Sequence, residues 1–286
     1  MSTAAFHLIQ PVHLRTGVVF ASPHSGSTYT AEFLRASRLD EHAIRSSEDA
    51  FVDRLFASAP EFGAPLLSAA MPRAYVDLNR ASDELDPDLI EGVRRFWHNP
   101  RVASGLGVIP RVVANGRAIY SRKISLKEAG ARIERYWHPY HAQLQALLTA
   151  AHARFGQAIL IDCHSMPHEA MDGTSRPDQR RPQIVLGDRF GASADGGIVD
   201  RIEAAFVRAG LAVTRNAPFA GAYVAQTYGN PQLRQHVVQI EIDRALYMDE
   251  RSIRPNADFD GFCNLLRDVI RDITRIGREE MPLVAE

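Results

Sequence analysis

Short apolar runs rich in β-branched residues alternate along the chain with segments whose apolar residues recur at helical spacing. The runs predict buried strands at Gly17–Ser22, Ala74–Leu78, Ala158–Cys163, Gln183–Leu186 and Val237–Ile242. The helical spacing predicts helices at Asp49–Phe62, Lys127–Phe155, Gly196–Ala209 and Asp258–Arg278. Pro139 interrupts the longest of these, which predicts either a kinked helix or two helices. The alternation indicates an α/β sheet, and without a convincing boundary we expect residues 1–286 to form a single domain.

Charge and cysteine content narrow the class of protein. The 33 basic and 34 acidic residues nearly cancel, whereas binding to a phosphate backbone normally requires a basic surplus, so nucleic acid is not expected as a partner. Only Cys163 and Cys263 occur, which excludes a disulfide framework and fits a reducing compartment. The N-terminus lacks the features of a secretory signal, and no stretch of about 18 apolar residues occurs. We therefore expect a cytoplasmic protein without a membrane partner.

Unusual polar residues fall where the predicted strands end. SPHSGS follows the first strand, DLNR ends the second, DCHS ends the third, and QIEID ends the last. In open α/β sheets, ligands bind outside the carboxyl ends of the strands. These four clusters are therefore expected to converge on one site, although they are far apart in the sequence.

Two histidines in these clusters, His24 and His164, are the natural candidates for metal ligands. A catalytic zinc ion usually takes three protein ligands, so a carboxylate is expected as the third. Glu48 and Asp49 both qualify, although an acidic residue at a helix start is equally expected as a cap. The residue pattern by itself leaves these interpretations of the two acids open.

Other polar residues in the clusters suit the chemistry of hydrolysis. A carboxylate such as Glu241 within a buried strand is costly unless it has a partner or a function, and it can take a proton from water and pass it to a leaving amine. Asn79 and Arg80 can bind a substrate carboxylate through paired hydrogen bonds. Arg73 is placed to face an oxyanion.

Several of these segments together resemble the N-formylglutamate amidohydrolase (N-formylglutamate deformylase) family. The resemblance covers the chain from about Gly17 to Glu250, and its motifs are PHSG (Pro23–Gly26), ED with VDRLF (Glu48–Phe56), VDLNR (Val76–Arg80), DCHS (Asp162–Ser165), PFxGxYxxxxYG (Pro218–Gly229) and QIE…YMDE (Gln239–Glu250). The combination is specific, although no single motif is.

This resemblance implies a fold, a reaction and a set of site residues. The fold would be the phosphorylase/hydrolase-like, zinc carboxypeptidase-like one, a three-layer structure in which helices flank a central mixed sheet. The reaction would be hydrolysis of an N-formyl or other N-acyl amino acid, in the best-known case N-formyl-L-glutamate in histidine breakdown. By matching motif, the metal ligands are His24, Asp49 (favoured over Glu48) and His164; the catalytic residues are Glu241 and Arg73; the substrate-binding residues are Asn79, Arg80 and Tyr223.

One segment departs from the family pattern. Where the deformylases have basic residues in and after PFxGGY, this chain has Ala220, Ala222 and Gln226. The departure weakens the expectation of a dicarboxylic substrate unless another cation, such as Arg122 or Arg215, takes over.

The leading hypothesis is therefore a hydrolase of small N-acyl amino acids with one zinc ion, or with another divalent metal in its place. Two rivals stay open. One is a zinc peptidase acting on short peptides, and the other is a non-catalytic relative that binds small carboxylates or metal.

Overall fold

The computed structural model describes residues 4–94, 99–172 and 181–278. Its strands are β1 (Phe6–Ile9), β2 (Val18–Ser22), β3 (Leu66–Ala69), β4 (Ala158–Met166), β5 (Ile184–Gly187), β6 (Val213–Arg215), β7 (Gln235–Asp243), β8 (Met248–Asp249) and β9 (Arg254–Pro255). Its α-helices are α1 (Ala31–Ala36), α2 (Val52–Leu55), α3 (Pro100–Ala103), α4 (Leu126–Arg132), α5 (His138–Phe155), α6 (Gly196–Arg208), α7 (Tyr223–Tyr228) and α8 (Phe259–Ile276). Short 3₁₀ segments lie at Ala43–Ser47, Ala59–Phe62, Ala114–Gly116, His168–Met171, Pro231–Leu233 and Arg244–Leu246.

The first seven strands form one mixed sheet in the order β1-β3-β2-β4-β7-β5-β6. Strands β3, β2, β4 and β7 are parallel neighbours, while β1 and β5 run antiparallel to β3 and β7. The carboxyl ends of the four parallel strands therefore share one edge of the sheet. The chain passes from β2 to β3 on one side and then crosses to β4 on the other side of β2, and such a reversal is the position where open α/β sheets bind ligands.

Helices cover both faces of this sheet because alternate residues of each strand point to opposite sides. Val18 and Phe20 belong to a core shared with α6 and α8, whereas Val19 and Ala21 belong to a second core shared with α5. Each fully buried large apolar side chain contributes about 1.5–3 kcal/mol. The predicted arrangement of a central mixed sheet with flanking helices is confirmed.

Four of the five predicted strands are confirmed, and one is wrong. The segment Ala74–Leu78 is buried but forms no strand; its Asp77 amide donates to the carbonyl of Val108 in a loop. The sheet position beside β2 is taken by β3, a segment that the apolar pattern did not single out. Strands β1 and β6 were not predicted either, since both are short and only partly buried.

The predicted helix at Asp49–Phe62 is interrupted. Phe51 adopts a left-handed conformation with φ of 67°, which a bulky residue rarely does, so Asp49 lies in a turn before α2. In the longest predicted helix, a π-helical segment at Ile133–Trp137 joins α4 to α5. Pro139 lies in the first turn of α5, where its missing N–H is tolerated. Among the described residues, no helix is long and apolar enough to cross a bilayer.

Candidate metal centre and active site

Three side chains with metal-binding atoms meet at the carboxyl edge of the sheet. His24 follows β2, Asp49 lies in the turn before α2, and His164 belongs to β4. One candidate ligand atom from each lies within 4.8 Å of the others. Asp49 Oδ2 is 3.0 Å from Nδ1 of His164 and 3.4 Å from Nδ1 of His24, and all three residues are buried. Both imidazole rings therefore turn Nδ1 toward the same carboxylate oxygen.

The donor set fits a divalent cation. Nδ1 of His24 is buried and forms no hydrogen bond with any described residue, which is costly for a polar atom without a partner. Burial disfavours ionisation of Asp49, but the hydrogen bond from His164 and the nearby imidazoles of His164 and His24 outweigh it and hold the pKa of this carboxyl well below its ordinary value. Two imidazole nitrogens and one carboxylate oxygen form the ligand set of many catalytic zinc sites.

The other ring nitrogen of each histidine faces an aspartate. Nε2 of His24 donates to Oδ1 of Asp77 at 2.7 Å, and Nε2 of His164 lies 3.1 Å from Oδ1 of Asp162. Such carboxylate partners fix the tautomer and orientation of metal-binding imidazoles. We did not identify either aspartate from the sequence, although Asp162 lies two residues before His164 on the same face of a strand.

The two acidic candidates, Glu48 and Asp49, lie in different surroundings. The carboxylate of Glu48 accepts two hydrogen bonds from Arg45, both at 3.0 Å, and one from the hydroxyl of Tyr29 at 3.1 Å. Asp49 is held beside the histidines because its amide donates to the carbonyl of His24 at 3.1 Å. The structure thus brings Asp49, and not Glu48, into the group that can hold a metal.

Asp49 is also held from the side opposite the histidines. Its Oδ1 accepts from Nη2 of Arg244 at 3.1 Å, while Nε of Arg244 donates to the hydroxyl of Ser165 at 3.1 Å. These contacts leave Oδ2 as the oxygen that faces His24 and His164. Arg244, which we did not identify from the sequence, follows β7 directly and is buried.

Glu241 lies next to the candidate metal centre. The parallel register of β4 and β7 pairs it with His164, and both residues line one cavity. Nε2 of Gln239 donates to its Oε1 at 2.9 Å. Burial is the largest influence on Glu241 and raises its pKa to about 7. A carboxyl group in this state can both accept and donate a proton near neutral pH.

Arg73 reaches the same cavity from the loop after β3. Its Nε donates to Oδ2 of Asp77 at 3.0 Å, so one aspartate holds both this guanidinium and the ring of His24. Burial disfavours the charged form, but the negative charges of Asp77 and Asp49 outweigh it and raise the pKa of Arg73. The site therefore keeps a positive charge beside the candidate metal ligands.

Asn79 and Arg80 are partly engaged by the protein itself. Oδ1 of Asn79 accepts from the amide of Val224 at 2.8 Å, and its Nδ2 lies 3.2 Å from Nε2 of His164. Arg80 donates from Nε to the carbonyl of Leu106 and from Nη1 to the carbonyl of Asn79, which leaves Nη2 outside these bonds. Both residues line the cavity, and Nδ2 of Asn79 donates to Oδ2 of Asp162 at 3.5 Å, so the amide of Asn79 connects Asp162, the partner of His164, to α7.

Tyr223, the third residue predicted to bind substrate, lies in a cluster of aromatic rings. Its ring packs against Trp137 and His141, with centroids 5.8 and 5.5 Å apart, and it is not among the residues that line the cavity. His141 is buried; it lies 2.8 Å from the hydroxyl of Tyr228, and burial lowers its pKa to about 4. These rings form a support behind the Asn79–Arg80 segment.

The cavity that contains these groups has a volume of about 670 Å³, within the range of small-molecule sites. One wall comes from the loop that includes Leu106, Pro110 and Val112, and another from Pro218–Ala222. All four polar clusters contribute to it, so the predicted convergence is confirmed, even though DLNR does not end a strand.

The mixed α/β sheet has two histidines, an aspartate and a buried glutamate at its carboxyl edge. These features are those of a hydrolase with a candidate metal centre. The sequence model of the N-formylglutamate amidohydrolase family matches residues 16–248, and the chain belongs to this family. The resemblance noted from the motifs is thereby confirmed, and the chain is an amidohydrolase.

Named relatives agree with this assignment. An N-formylglutamate deformylase of Pseudomonas aeruginosa is 31% identical over 267 residues, which cover 91% of each chain. One of Pseudomonas putida is 28% identical over 243 residues, which cover 82% of this chain and 83% of that protein. The crystal structure of an N-formylglutamate amidohydrolase from Ralstonia eutropha JMP134 is 35% identical, has a TM-score of 0.87, and covers 97% of this chain and 98% of its own.

Proposed function

We propose that this chain hydrolyses N-formyl-L-glutamate to formate and L-glutamate with one zinc ion held by His24, Asp49 and His164. The observation that carries the proposal is the buried His–Asp–His group beside a buried glutamate, in a chain of this family. The substrate is supported by the names of the two Pseudomonas relatives. A cytoplasmic location is part of the proposal and is supported by the two unpaired cysteines.

Zinc suits this ligand set because it accepts both imidazole nitrogen and carboxylate oxygen, although another divalent metal could take the same ligands. When bound, zinc polarises the scissile carbonyl and makes water a stronger nucleophile at neutral pH. The protein's contribution is to hold the three ligand atoms in place through Asp77, Asp162 and Arg244.

Glu241 is the proposed general base and acid. Its carboxylate takes a proton from the attacking water as the water oxygen bonds to the formyl carbon. It then gives that proton to the amide nitrogen, so that the carbon–nitrogen bond breaks and the amine of glutamate leaves. Burial raises the pKa of Glu241 to about 7, which supports a role in both accepting and donating a proton.

The remaining roles go to the cations and the amide of the site. Arg73 stabilises the oxyanion that forms on the carbonyl oxygen, since it lines the cavity and keeps its charge. Arg80 binds the α-carboxylate of the substrate through Nη2, the part of its guanidinium not used by carbonyls of the protein. Asn79 positions α7 and Asp162, which faces His164, and contributes to substrate binding through that support.

A panel of substrates tests the proposal against its rivals. Formate release is measured from N-formyl-L-glutamate, and amine release from N-acetyl-L-glutamate and from short peptides with a C-terminal glutamate. We expect hydrolysis of the formyl compound to be preferred. Preference for the peptides would support a zinc peptidase, and binding of these compounds without turnover would support a non-catalytic relative.

Replacing Arg80 with Ala is expected to raise KM for N-formyl-L-glutamate about 10- to 100-fold while kcat changes little. The reason is the loss of a charge-assisted hydrogen bond to a carboxylate, worth about 1.5–3 kcal/mol. Steady-state kinetics of formate release measures both constants.

The matched control is Arg38→Ala, since Arg38 does not line the cavity. Arg80→Lys keeps the charge and is expected to recover part of the affinity. An unchanged KM in Arg80→Ala would contradict the role of Arg80 in binding the α-carboxylate.

A further inference from the structure

The cavity contains more positive charge than the proposed reaction at the formyl group requires. Of the residues that the structure describes, four arginines line it, namely Arg73, Arg80, Arg101 and Arg244. Arg73 donates to Asp77, and Arg244 donates to Asp49, so the charges of these two are balanced by carboxylates of the protein. Arg80 donates to two backbone carbonyls, which use its hydrogen bonds without neutralising its charge.

Arg101 differs from the other three. It is exposed, and its side chain forms no salt bridge with any residue in the described ranges. Its backbone is nonetheless well held, because its amide donates at 3.0 Å to Oδ1 of Asn99, the N-cap residue of α3. Arg101 is therefore an exposed cation at the cavity wall whose backbone is held in place by hydrogen bonds.

Arg80 and Arg101 are connected through one residue. The amide of Leu106 donates to the carbonyl of Arg101 at 2.8 Å, and the carbonyl of Leu106 accepts from Nε of Arg80 at 3.0 Å. Their charges act on each other: burial is the main cause that lowers the pKa of Arg80, and the positive charges of Arg73 and Arg101 add to it. The negative charge of Asp77, and to a smaller extent that of Glu84, whose Oε2 is 3.9 Å from Nε of Arg80, acts in the opposite direction, but the pKa of Arg80 stays lowered. Two adjacent anionic groups of a ligand would relieve the repulsion.

The residues of the site also differ in how deeply they are buried. His24, Asp49 and His164 are 1–3% exposed, Arg80 is 6% exposed, and Arg101, which also lines the cavity, is exposed. A substrate whose formyl group reaches the candidate metal centre and whose α-carboxylate reaches Arg80 would leave its side chain toward Arg101.

Within residues 4–94, 99–172 and 181–278, the two other cations considered for the side chain of the substrate lie elsewhere. Arg122 and Arg215 do not line the cavity, and Arg215 is paired with Asp200 and Glu203. The wall formed by Ala220, Gly221 and Ala222 carries no charge.

From this arrangement we infer that Arg101 binds the side-chain carboxylate of the substrate and selects dicarboxylic N-formyl amino acids. The inference rests on the proposed function and extends it, because it assigns to α3 the specificity that the Ala220–Ala222 segment lacks. It predicts that the enzyme distinguishes substrates by the charge of their side chain, and that this selection is separate from catalysis at the formyl group.

The test compares N-formyl-L-glutamate with N-formyl-L-glutamine, which has nearly the same shape but no side-chain charge. Zinc-loaded wild type, Arg101→Gln, Arg101→Lys and the control Arg122→Gln are assayed for formate release. We expect wild type to prefer the glutamate compound by about 10- to 100-fold. In Arg101→Gln, kcat/KM for the glutamate compound should fall by a similar factor through KM, while the value for the glutamine compound stays within about twofold.

Partial recovery in Arg101→Lys and wild-type behaviour of Arg122→Gln would support the assignment. Equal losses for both substrates in Arg101→Gln, or no loss for either, would overturn it. If wild type releases formate from neither compound, the proposed function itself fails, and this inference fails with it.

Discussion

Replacing Glu241 with Gln is expected to lower kcat for formate release by about 10²- to 10⁴-fold, the range that a general acid–base residue contributes. Glutamine keeps the shape of the side chain and can still accept the hydrogen bond from Gln239, so the strand should be undisturbed. The amide cannot take a proton from the attacking water at neutral pH. Zinc content, measured on the same sample, should remain that of wild type because Glu241 is not among the proposed ligands.

The control for this experiment is Glu169→Gln, a carboxylate that does not line the cavity. This variant should retain both zinc and turnover. Near-normal turnover in Glu241→Gln would contradict the role of Glu241, and a loss of zinc together with activity would instead make Glu241 part of the metal site.

Replacing Asp49 with Asn is expected to weaken zinc binding by more than roughly 100-fold. Mutation of a residue that only hydrogen-bonds to a metal ligand lowers metal affinity roughly 10- to 100-fold, and Asp49 is itself a proposed ligand. The amide removes the negative charge that faces both histidines, and its single oxygen cannot both accept from Arg244 and face His24 and His164. The measurement is competition with a chromophoric chelator, which reports affinity independently of turnover.

Glu48→Gln is the matched control because Glu48 is the adjacent acid and is also buried. Its carboxylate binds Arg45 and Tyr29, so its loss should lower the stability of the fold while zinc affinity stays close to wild type. The reverse result, in which Glu48→Gln loses zinc affinity and Asp49→Asn keeps it, would assign the acidic ligand to Glu48.

The parts of the fold that could be predicted from the sequence are those with a strong local pattern. Strands β4 and β7 are buried along nearly their whole length and contain continuous apolar runs, and α8 shows a clear apolar stripe. Strand β3 could not be separated from Ala74–Leu78 because both segments are apolar and buried, and only pairing with β2 distinguishes them. The left-handed turn at Phe51 has no signal in the local pattern.

The candidate site was predictable where a residue was out of place for its element. His164 and Glu241 are polar residues in buried strands, and that cost pointed to a function. The supporting residues carried weaker signals: Asp77 lies in a loop and Arg244 begins a short 3₁₀ segment, where charged residues are ordinary. Their contacts with His24 and Asp49 depend on tertiary structure, since they join segments far apart in the sequence.

If the chain hydrolyses N-formyl-L-glutamate with a metal held by His24, Asp49 and His164, formate release must depend on that metal. Release is followed for zinc-loaded protein, for protein stripped with a chelator, and for stripped protein reloaded with zinc, with zinc content determined in each sample. We predict release that is lost with the metal and restored with one equivalent of zinc. Release that persists after complete removal of metal, or no release from fully loaded protein, would contradict the proposed function.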